Sequence, residues 1–349
     1  MAAANRLARG IGKRRQLDRT PHHGSQDIVN TNVGNDEPEI SVVLCTHNGE
    51  EWLEAQLDSI LSQTRPPDEL IVGDDESCDS TFGLLQSFAR RAEFPVHIAR
   101  HEPQLGVVDN FEVTLSRANG RYMALCDQDD VWLPDRIESG VEAVASIEGD
   151  GSVPALVFSD LILIDEHDQE GGRSFMETRG IDGRPDNPLG TLLRHNLVTG
   201  CTVTCNRALL KKAIPFPDQI VMHDWWLALV AAAIGRIEML ESPKVRYRLH
   251  GKNQVGAQSL VGWEGIRRIM PGVESRKALA RVFRQDQELG RRLGDQLDPS
   301  IRSFIECIPR GGGPLRRAAR AAGVSPQGFA RRVRFFLETL IGGYRRYLD

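Results

Sequence analysis

Three carboxylates within four residues, Asp127, Asp129 and Asp130, close the apolar run Tyr122-Met-Ala-Leu-Cys126. Carboxylates crowded at the end of a buried strand repel one another and resist desolvation, so such a cluster demands a positive partner. A hard divalent cation, Mg2+ or Mn2+, suits it. Such ions take oxygen ligands from one or two carboxylates and share the rest of the shell with water and substrate phosphates. In α/β sheets ligands bind beyond the carboxyl ends of the strands, which is where this cluster falls. The bland alternative is a solvated turn with an aspartate capping the helix expected from Pro134 to Ala145.

The elements that would position these groups alternate regularly. Ile40-Ser-Val-Val-Leu-Cys45 is apolar and β-branched, as a strand buried on both faces requires, and it leads into the loop Thr46-His-Asn-Gly49. Trp52, Leu53, Leu57, Ile60 and Leu61 then recur at helical spacing until Pro66-Pro67 stops them. Glu69 to Gly73 is the next strand and ends in Asp74-Asp75. Strand, helix and strand in such a short span make a βαβ unit, so the sheet is parallel. The alternation continues with a helix over 80–91, a strand over 96–100, a loop at Gly106, a helix over 109–118 and the strand that opens at Tyr122.

Composition narrows the setting. The net charge of -5 points to no nucleic-acid partner, but it is unevenly spread: residues 310–349 carry nine Arg against Glu338 and Asp349. The six cysteines (Cys45, Cys78, Cys126, Cys201, Cys205, Cys307) show no zinc-ligand spacing with His and read as reduced thiols. No run is apolar enough to span a membrane and the N-terminus lacks the core of a signal peptide, so the expected location is cytoplasmic. Residues 1–37 hold few large apolar side chains and are expected to be disordered.

Ser41-Val-Val-Leu-Cys-Thr-His-Asn48, Asp74-Asp-Glu-Ser77 and Asp127-Gln-Asp-Asp130 stand in order at expected strand ends. Together they resemble the nucleotide loop, the Asp-Asp-Gly-Ser turn and the Asp-x-Asp metal site of family 2 glycosyltransferases. The resemblance implies the GT-A fold: α/β, with a mostly parallel central sheet flanked by helices. It implies a nucleotide-sugar donor held by Thr46, Asn48, Asp75, Asn110 and Asp127, and a Mg2+ or Mn2+ ion on Asp129, with Asp127 on the ribose or reaching the metal. Glu76 departs from the pattern, standing where the family usually has Gly. If that turn needs a positive φ, Glu is strained there.

The second half extends the match. Residues 157–164 and 199–204 read as strands, and Met222-His-Asp-Trp-Trp-Leu227 opens an apolar helix running to about Ala233. Asp224 has a plain role as helix cap, and Trp225 and Trp226 as core anchors. The resemblance assigns Asp224 the role of general base toward the acceptor hydroxyl, which implies inversion at the anomeric carbon. Val245-Arg-Tyr-Arg-Leu-His-Gly-Lys-Asn253 is similar to a segment of many bacterial members. There His250 is a third metal ligand or a diphosphate contact, or else a loop histidine packed on Trp225 or Trp226. Arg246, Arg248 and Lys252 are candidates for phosphate oxygens or are simply solvated.

Beyond Leu260 the resemblance ends. Residues 263–308 read as helices with Val282, Phe283, Leu289 and Leu293 as an apolar stripe. Gly311-Gly-Gly-Pro314 reads as a linker, and Ser325-Pro326 as the start of a basic amphipathic helix bearing Phe329, Val333, Phe336, Leu337, Leu340 and Ile341. That helix suits either peripheral contact with the inner membrane surface through 326–348 or packing on its own domain. The expected divisions are a basic tail at 1–37, a GT-A domain at 38–258 (nucleotide half 38–135, acceptor half 136–258), a helical extension at 259–309 and an Arg-rich tail at 310–349.

The functional expectation is an inverting glycosyltransferase, similar to bacterial rhamnosyltransferases, that uses dTDP-rhamnose or a UDP-sugar. Its acceptor would be a glycan or lipid-linked oligosaccharide in cell-envelope polysaccharide synthesis. Two other readings stay open. A nucleotidyltransferase would want a cation in the loop after the first strand, which Thr46-His-Asn-Gly49 lacks. A non-catalytic nucleotide- or sugar-binding subunit would not need Asp127, Asp129 and Asp224 together.

Overall fold

The structure, a computed structural model, describes residues 28–30, 38–251 and 272–348. The rest of the N-terminal tail, Lys252, Asn253 and the beginning of the expected helical extension lie outside the described residues.

Strands β1 (Ile28–Asn30), β2 (Ile40–Thr46), β3 (Glu69–Asp74), β4 (Val96–Arg100) and β5 (Tyr122–Asp127) alternate with helices α1 (Leu53–Leu61), α2 (Thr81–Arg91) and α3 (Val107–Arg117). After β5 come the short β6 (Val131–Trp132), α4 (Arg136–Ile147), β7 (Ala155–Phe158), β8 (Leu161–Ile164), β9 (Glu170–Ser174), α5 (Phe175–Arg179) and α6 (Pro188–Leu192). Then follow β10 (Thr204–Asn206), α7 (Arg207–Ala213), α8 (His223–Ile234), β11 (Arg236–Met239) and β12 (Val245–Arg248). The chain closes with α9 (Val273–Leu293), α10 (Pro299–Cys307), α11 (Gly312–Ala321) and α12 (Phe329–Ile341).

The main sheet has eight strands in the order β1-β4-β3-β2-β5-β10-β7-β11. Its central strands β4, β3, β2 and β5 are parallel, as the βαβ reading requires. Every residue of β2 and β3 is buried, and their side chains alternate between two layers. Val43, Cys45 and Ile71 face α3 and α8, while Val42, Leu44 and Val72 face α1, α2 and α4. Each such side chain taken from water contributes about 1.5–3 kcal/mol, so sliding β2 by one residue would exchange both layers and is strongly disfavoured.

A second, four-stranded sheet runs β6-β12-β8-β9. In it Val245 of β12 pairs with Trp132 of β6. This pairing brings the segment after the acidic cluster beside the segment before His250, far apart in sequence. Among the described residues no helix is long and apolar enough to cross a membrane.

Several local expectations change. Residues 157–164 are two strands, β7 and β8, in different sheets, because the Asp160 carboxylate takes Leu161 N at 2.7 Å and Met176 N at 3.0 Å and so breaks the run. Only Thr204 of the expected strand 199–204 is in β10; Gly200–Thr202 is a single 3-10 turn. Residues 28–30, in the tail expected to be disordered, pair antiparallel with β4, whose edge would otherwise be open. The Gly311-to-Pro314 linker is instead the first turn of α11, where proline costs no hydrogen bond. α12 starts at Phe329 behind Gly328, whose positive φ of 79° suits glycine, and not at Ser325-Pro326.

The α9 stripe behaves as its spacing predicts. Phe283, Leu289 and Leu293 are buried in the same apolar cluster as Trp226 of α8 and Leu315 of α11. At its centre Arg194 is sandwiched between the Phe283 and Phe335 rings at 4.6 and 4.7 Å and lies 3.7 Å from Asp286. The C-terminal helices are thus held to the segment that follows α6.

Candidate active site

A cleft of about 550 Å3 opens at the carboxyl ends of β2, β3 and β5. Thr46, Asn48, Asp75, Asn110, Asp127, Asp129, Asp224 and His250 all line it. The structure therefore brings every candidate site residue to one place.

On the β2–β3 side the side chains are held largely by backbone. Thr46 Oγ1 donates to Asp74 Oδ1 at 2.9 Å, and Ser77 Oγ donates to the same oxygen at 2.6 Å, so Asp74 is a fully buried hub beneath the loop. Asn48 adopts φ 48°, a region asparagine tolerates, and its Oδ1 accepts from Cys78 N at 2.8 Å. The Asp75 carboxylate accepts from Leu105 N at 2.7 Å and Gly106 N at 2.8 Å, which ties down the loop before α3. Glu76 does take a positive φ, 59°, and its carboxylate accepts from Gln104 N at 2.8 Å. Asn110 donates to Gly73 O at 2.9 Å. A Cβ on Gly73 would come within 2.3 Å of Asn110 Oδ1, so glycine there permits that approach.

The acidic segment is locked to the first loop by Gln128, which sequence reading passed over. Its Oε1 accepts from His47 N at 2.8 Å and its Nε2 donates to His47 O at 3.0 Å. Position 128 offered no signal beyond lying between two aspartates. Asp129 Oδ2 lies 2.9 Å from His250 Nε2, and the imidazole stacks on Trp52 with ring centres 4.2 Å apart. His250 thus packs on Trp52 and not on Trp225 or Trp226.

The two arginines of β12 are structural and do not line the cleft. Arg246 pairs with Glu170 at 3.1 Å. Buried Arg248 pairs with Asp168 at 2.8 Å and donates to Asp129 O at 3.2 Å, bracing the acidic turn from behind. They were candidates for phosphate contacts because spacing alone does not show which way a strand residue turns.

Asp224 reaches the cleft from the first turn of α8. The cap position belongs to Met222, and no side chain caps it. Asp224 Oδ1 accepts from Trp225 N at 2.6 Å, and Asn196 and the Gly200 backbone also bond this carboxylate. Burial nevertheless dominates and raises its pKa to about 6. Its neighbour His223 stacks on Phe111 with ring centres 3.8 Å apart, and neither of its nitrogens has a hydrogen-bond partner among the described residues. Burial lowers its pKa to about 3, so it lines the cleft as a neutral ring. Asn196 and His223 were not foreseen: no motif marks Asn196, and His223 was read only as part of the start of an apolar helix.

Tests of cation fit favour the cleft-facing set. Burial, then Asp129, then Asp224 raise the pKa of Asp127 to about 7. No Lys or Arg ion pair reaches Asp127 among the described residues, leaving a half-buried group of carboxylates without a Lys or Arg counter-charge. Asp127 and Asp129 both line the cleft, and their carboxylate oxygens are the ligand type a hard divalent ion takes, with His250 beside Asp129 at 2.9 Å. A second group, Asp127, Asp130 and Cys201, has ligand atoms within 4.8 Å of one another. Burial drives the pKa of Asp130 and of the Cys201 thiol well up, and a protonated thiol is a poor ligand for such an ion. Asp130 instead accepts from Arg248 N at 3.3 Å and serves the turn.

Comparison with known proteins agrees with this geometry. The family model described as Glycosyl transferase family 2 matches residues 41–207, a span that holds the acidic cluster but not Asp224 or His250. An uncharacterized protein of Mycobacterium tuberculosis is 29% identical over 213 residues, 60% of this chain; the match spans 59% of that relative's own length. The dTDP-rhamnosyl transferase RfbG of Shigella flexneri is 25% identical over 233 residues, 61% of this chain and 74% of its own. Among solved structures, the mannosyltransferase PcManGT of Pyrobaculum calidifontis, in complex with GDP-Man and Mn2+, superposes with a TM-score of 0.51. That likeness covers 90% of this chain and 84% of the other at 19% identity, and it shows the shared GT-A fold.

Proposed function

Because this chain belongs to glycosyl transferase family 2, matched over residues 41–207, we propose that it transfers one sugar from a nucleotide-diphosphate donor to an acceptor hydroxyl with inversion. The observation that carries this is the convergence in one cleft of Asp127, Asp129 and His250 from strand-end turns and loops and of Asp224 from helix α8. The donor is dTDP-rhamnose or a UDP-sugar, a choice supported by the rhamnosyl transferase among the relatives. The acceptor is a glycan or lipid-linked oligosaccharide of a cell-surface polysaccharide, in keeping with a relative named for teichuronic acid biosynthesis in Bacillus subtilis. The domain boundaries follow the same reading, with donor residues in 38–135 and the base in 136–258.

The leaving diphosphate must accept negative charge, and the incoming hydroxyl must lose a proton. Asp127 and Asp129, with His250, would hold a Mg2+ or Mn2+ ion, which when bound offsets the charge growing on the diphosphate. Thr46, Asn48, Asp75 and Asn110 frame the base and ribose. Asp224 takes the acceptor proton at its carboxylate; a pKa raised to about 6 keeps it ionised at neutral pH yet more basic than an exposed aspartate. Asn196 and the Gly200 backbone hold that carboxylate toward the cleft. Attack from the base side with departure on the metal side inverts the anomeric carbon.

The test is calorimetric titration with dTDP, UDP and GDP, each with and without Mn2+, on the full chain and on Asp224→Asn. The expected result is metal-dependent binding of one nucleotide, kept by the variant while its turnover is lost. A folded chain that binds none of the three would overturn the donor assignment.

A further inference from the structure

We propose that α12 is a docking surface for an anionic lipid bilayer. Among the described residues the exposed large apolar side chains are Val273, Phe329, Phe336, Leu340 and Ile341, so all but one lie on this helix. Their exposures are 82% for Phe329, 43% for Phe336, 50% for Leu340 and 55% for Ile341. A helix that merely packs on its own domain turns such residues inward. α12 has a separate inner face that does so: Phe335 lies on the Arg194 guanidinium, and Glu338 and Thr339 are buried. Among the described residues the outer stripe is therefore left uncovered, and an exposed apolar patch marks a contact with something else.

The charge around the patch selects the occupant. Arg316 lies over the Phe336 ring at 3.9 Å, and Arg317, Arg320, Arg332, Arg345 and Arg346 are exposed on the flanking turns. The acid on α12, Glu338, is buried and bonded to Arg334 at 3.2 Å. An apolar stripe edged by arginines matches the acyl boundary and the anionic headgroups of a bilayer. Pairing with a second copy would instead set one arginine rim against another.

The same helix shapes the cleft. Arg331, on its first turn, lines the cleft with Arg179 and donates to Arg179 O at 2.9 Å. Arg331 and the exposed stripe lie on opposite sides of α12, so the docking rests on the patch and not on the proposed transfer reaction.

The test is vesicle flotation of the full chain, without donor or acceptor, so its outcome is independent of turnover. Vesicles of phosphatidylcholine are compared with vesicles holding roughly 30 mol% phosphatidylglycerol, at low and high salt. The expected result is binding to the anionic vesicles that weakens with salt. In Phe336→Ser/Leu340→Ser/Ile341→Ser the partition coefficient falls on the order of tenfold or more. Arg345→Ala/Arg346→Ala, at exposed positions, narrows the preference for anionic vesicles several-fold and keeps the test decidable if the triple variant does not fold. Absence of binding to anionic vesicles overturns the proposal, as do equal partition of all three proteins and a dimer in sedimentation that dissolves in the triple variant.

Discussion

Residues 38–135 and the residues after them present polar groups to the same cleft by different means. In the first region each group stands at a strand end or a helix start of one regular βαβ alternation, and backbone amides hold it: Asp75 by Leu105 and Gly106, Asp74 by Ser77. In the second, strands are short and split between two sheets, and the groups arrive by tertiary contact. Asp224 rides on α8, and Asn196 and Gly200 hold it from a loop that Arg194 ties to α9. His250 reaches Asp129 only because β12 pairs with β6. Under the proposed function the regular half would bind the donor, and the irregular half would place the base and meet the acceptor.

The largest expected effect separates these roles. Asp224→Asn should lower kcat by about 10^2 to 10^4, the usual range for losing a general base, with nucleotide affinity unchanged. Asp129→Ala should instead abolish the metal dependence of nucleotide binding in the calorimeter. If both variants lost binding alike, the division between the halves would collapse. Next in size is Arg194→Ala. Removing one partner of a buried pair leaves Asp286 uncompensated, and such losses cost about 3–5 kcal/mol. The cation–π contacts to Phe283 and Phe335 go with it. Denaturant unfolding should show that loss, and an unchanged midpoint would mean that α9 and α12 are not integral to the region that holds the base.

How far each region is legible in sequence follows from the same contrast. Ile40–Thr46 and Tyr122–Asp127 are readable because burial on both faces writes an unbroken apolar run, and their ends then point to Asp75, Asp127 and Asp129. The family resemblance supplied the roles. Residues 157–164 were misread as one strand because the Asp160 side chain, not a change in hydrophobicity, makes the break. Gln128 and Asn196 left no trace, since a side chain's hydrogen bond to a distant backbone or carboxylate has no period. Arg248 looked like a phosphate ligand because a buried arginine that braces a turn has the same letter as one that faces solvent. Helix α12 was read correctly as basic and amphipathic, but no wheel reports which face the domain uses.

The proposed role of Asp224 as base also predicts a pH dependence that sharpens the comparison. Burial raises the Asp224 pKa to about 6, and only the ionised form accepts a proton. Turnover should therefore hold above about pH 6 and fall close to tenfold per unit below it. The sign for stability is opposite. A carboxyl whose pKa is higher folded than unfolded favours the folded state as it protonates, so this group costs stability above about 6 and ceases to as pH falls toward its ordinary value. A rate profile flat to pH 5, with the enzyme still folded, would remove Asp224 from the base role.

The smallest expected effect tests how rigid the regular half is. Glu76 sits at φ 59°, where a side chain other than glycine costs about 1–2 kcal/mol. Against that strain, its carboxylate bonds Gln104 N at 2.8 Å, a contact of about 0.5–1.5 kcal/mol. Glu76→Gly would relieve the strain, lose the bond and add about 0.5–1 kcal/mol of unfolded-state entropy. These contributions nearly cancel, so the melting midpoint should move little. The Gln104–Gly106 loop would still be held by Asp75, and nucleotide affinity should stay within a few-fold. A large loss of affinity would show that the Glu76 bond, and not the Asp75 carboxylate, sets that edge of the cleft, and that the turn differs in more than one residue from its glycine-bearing form.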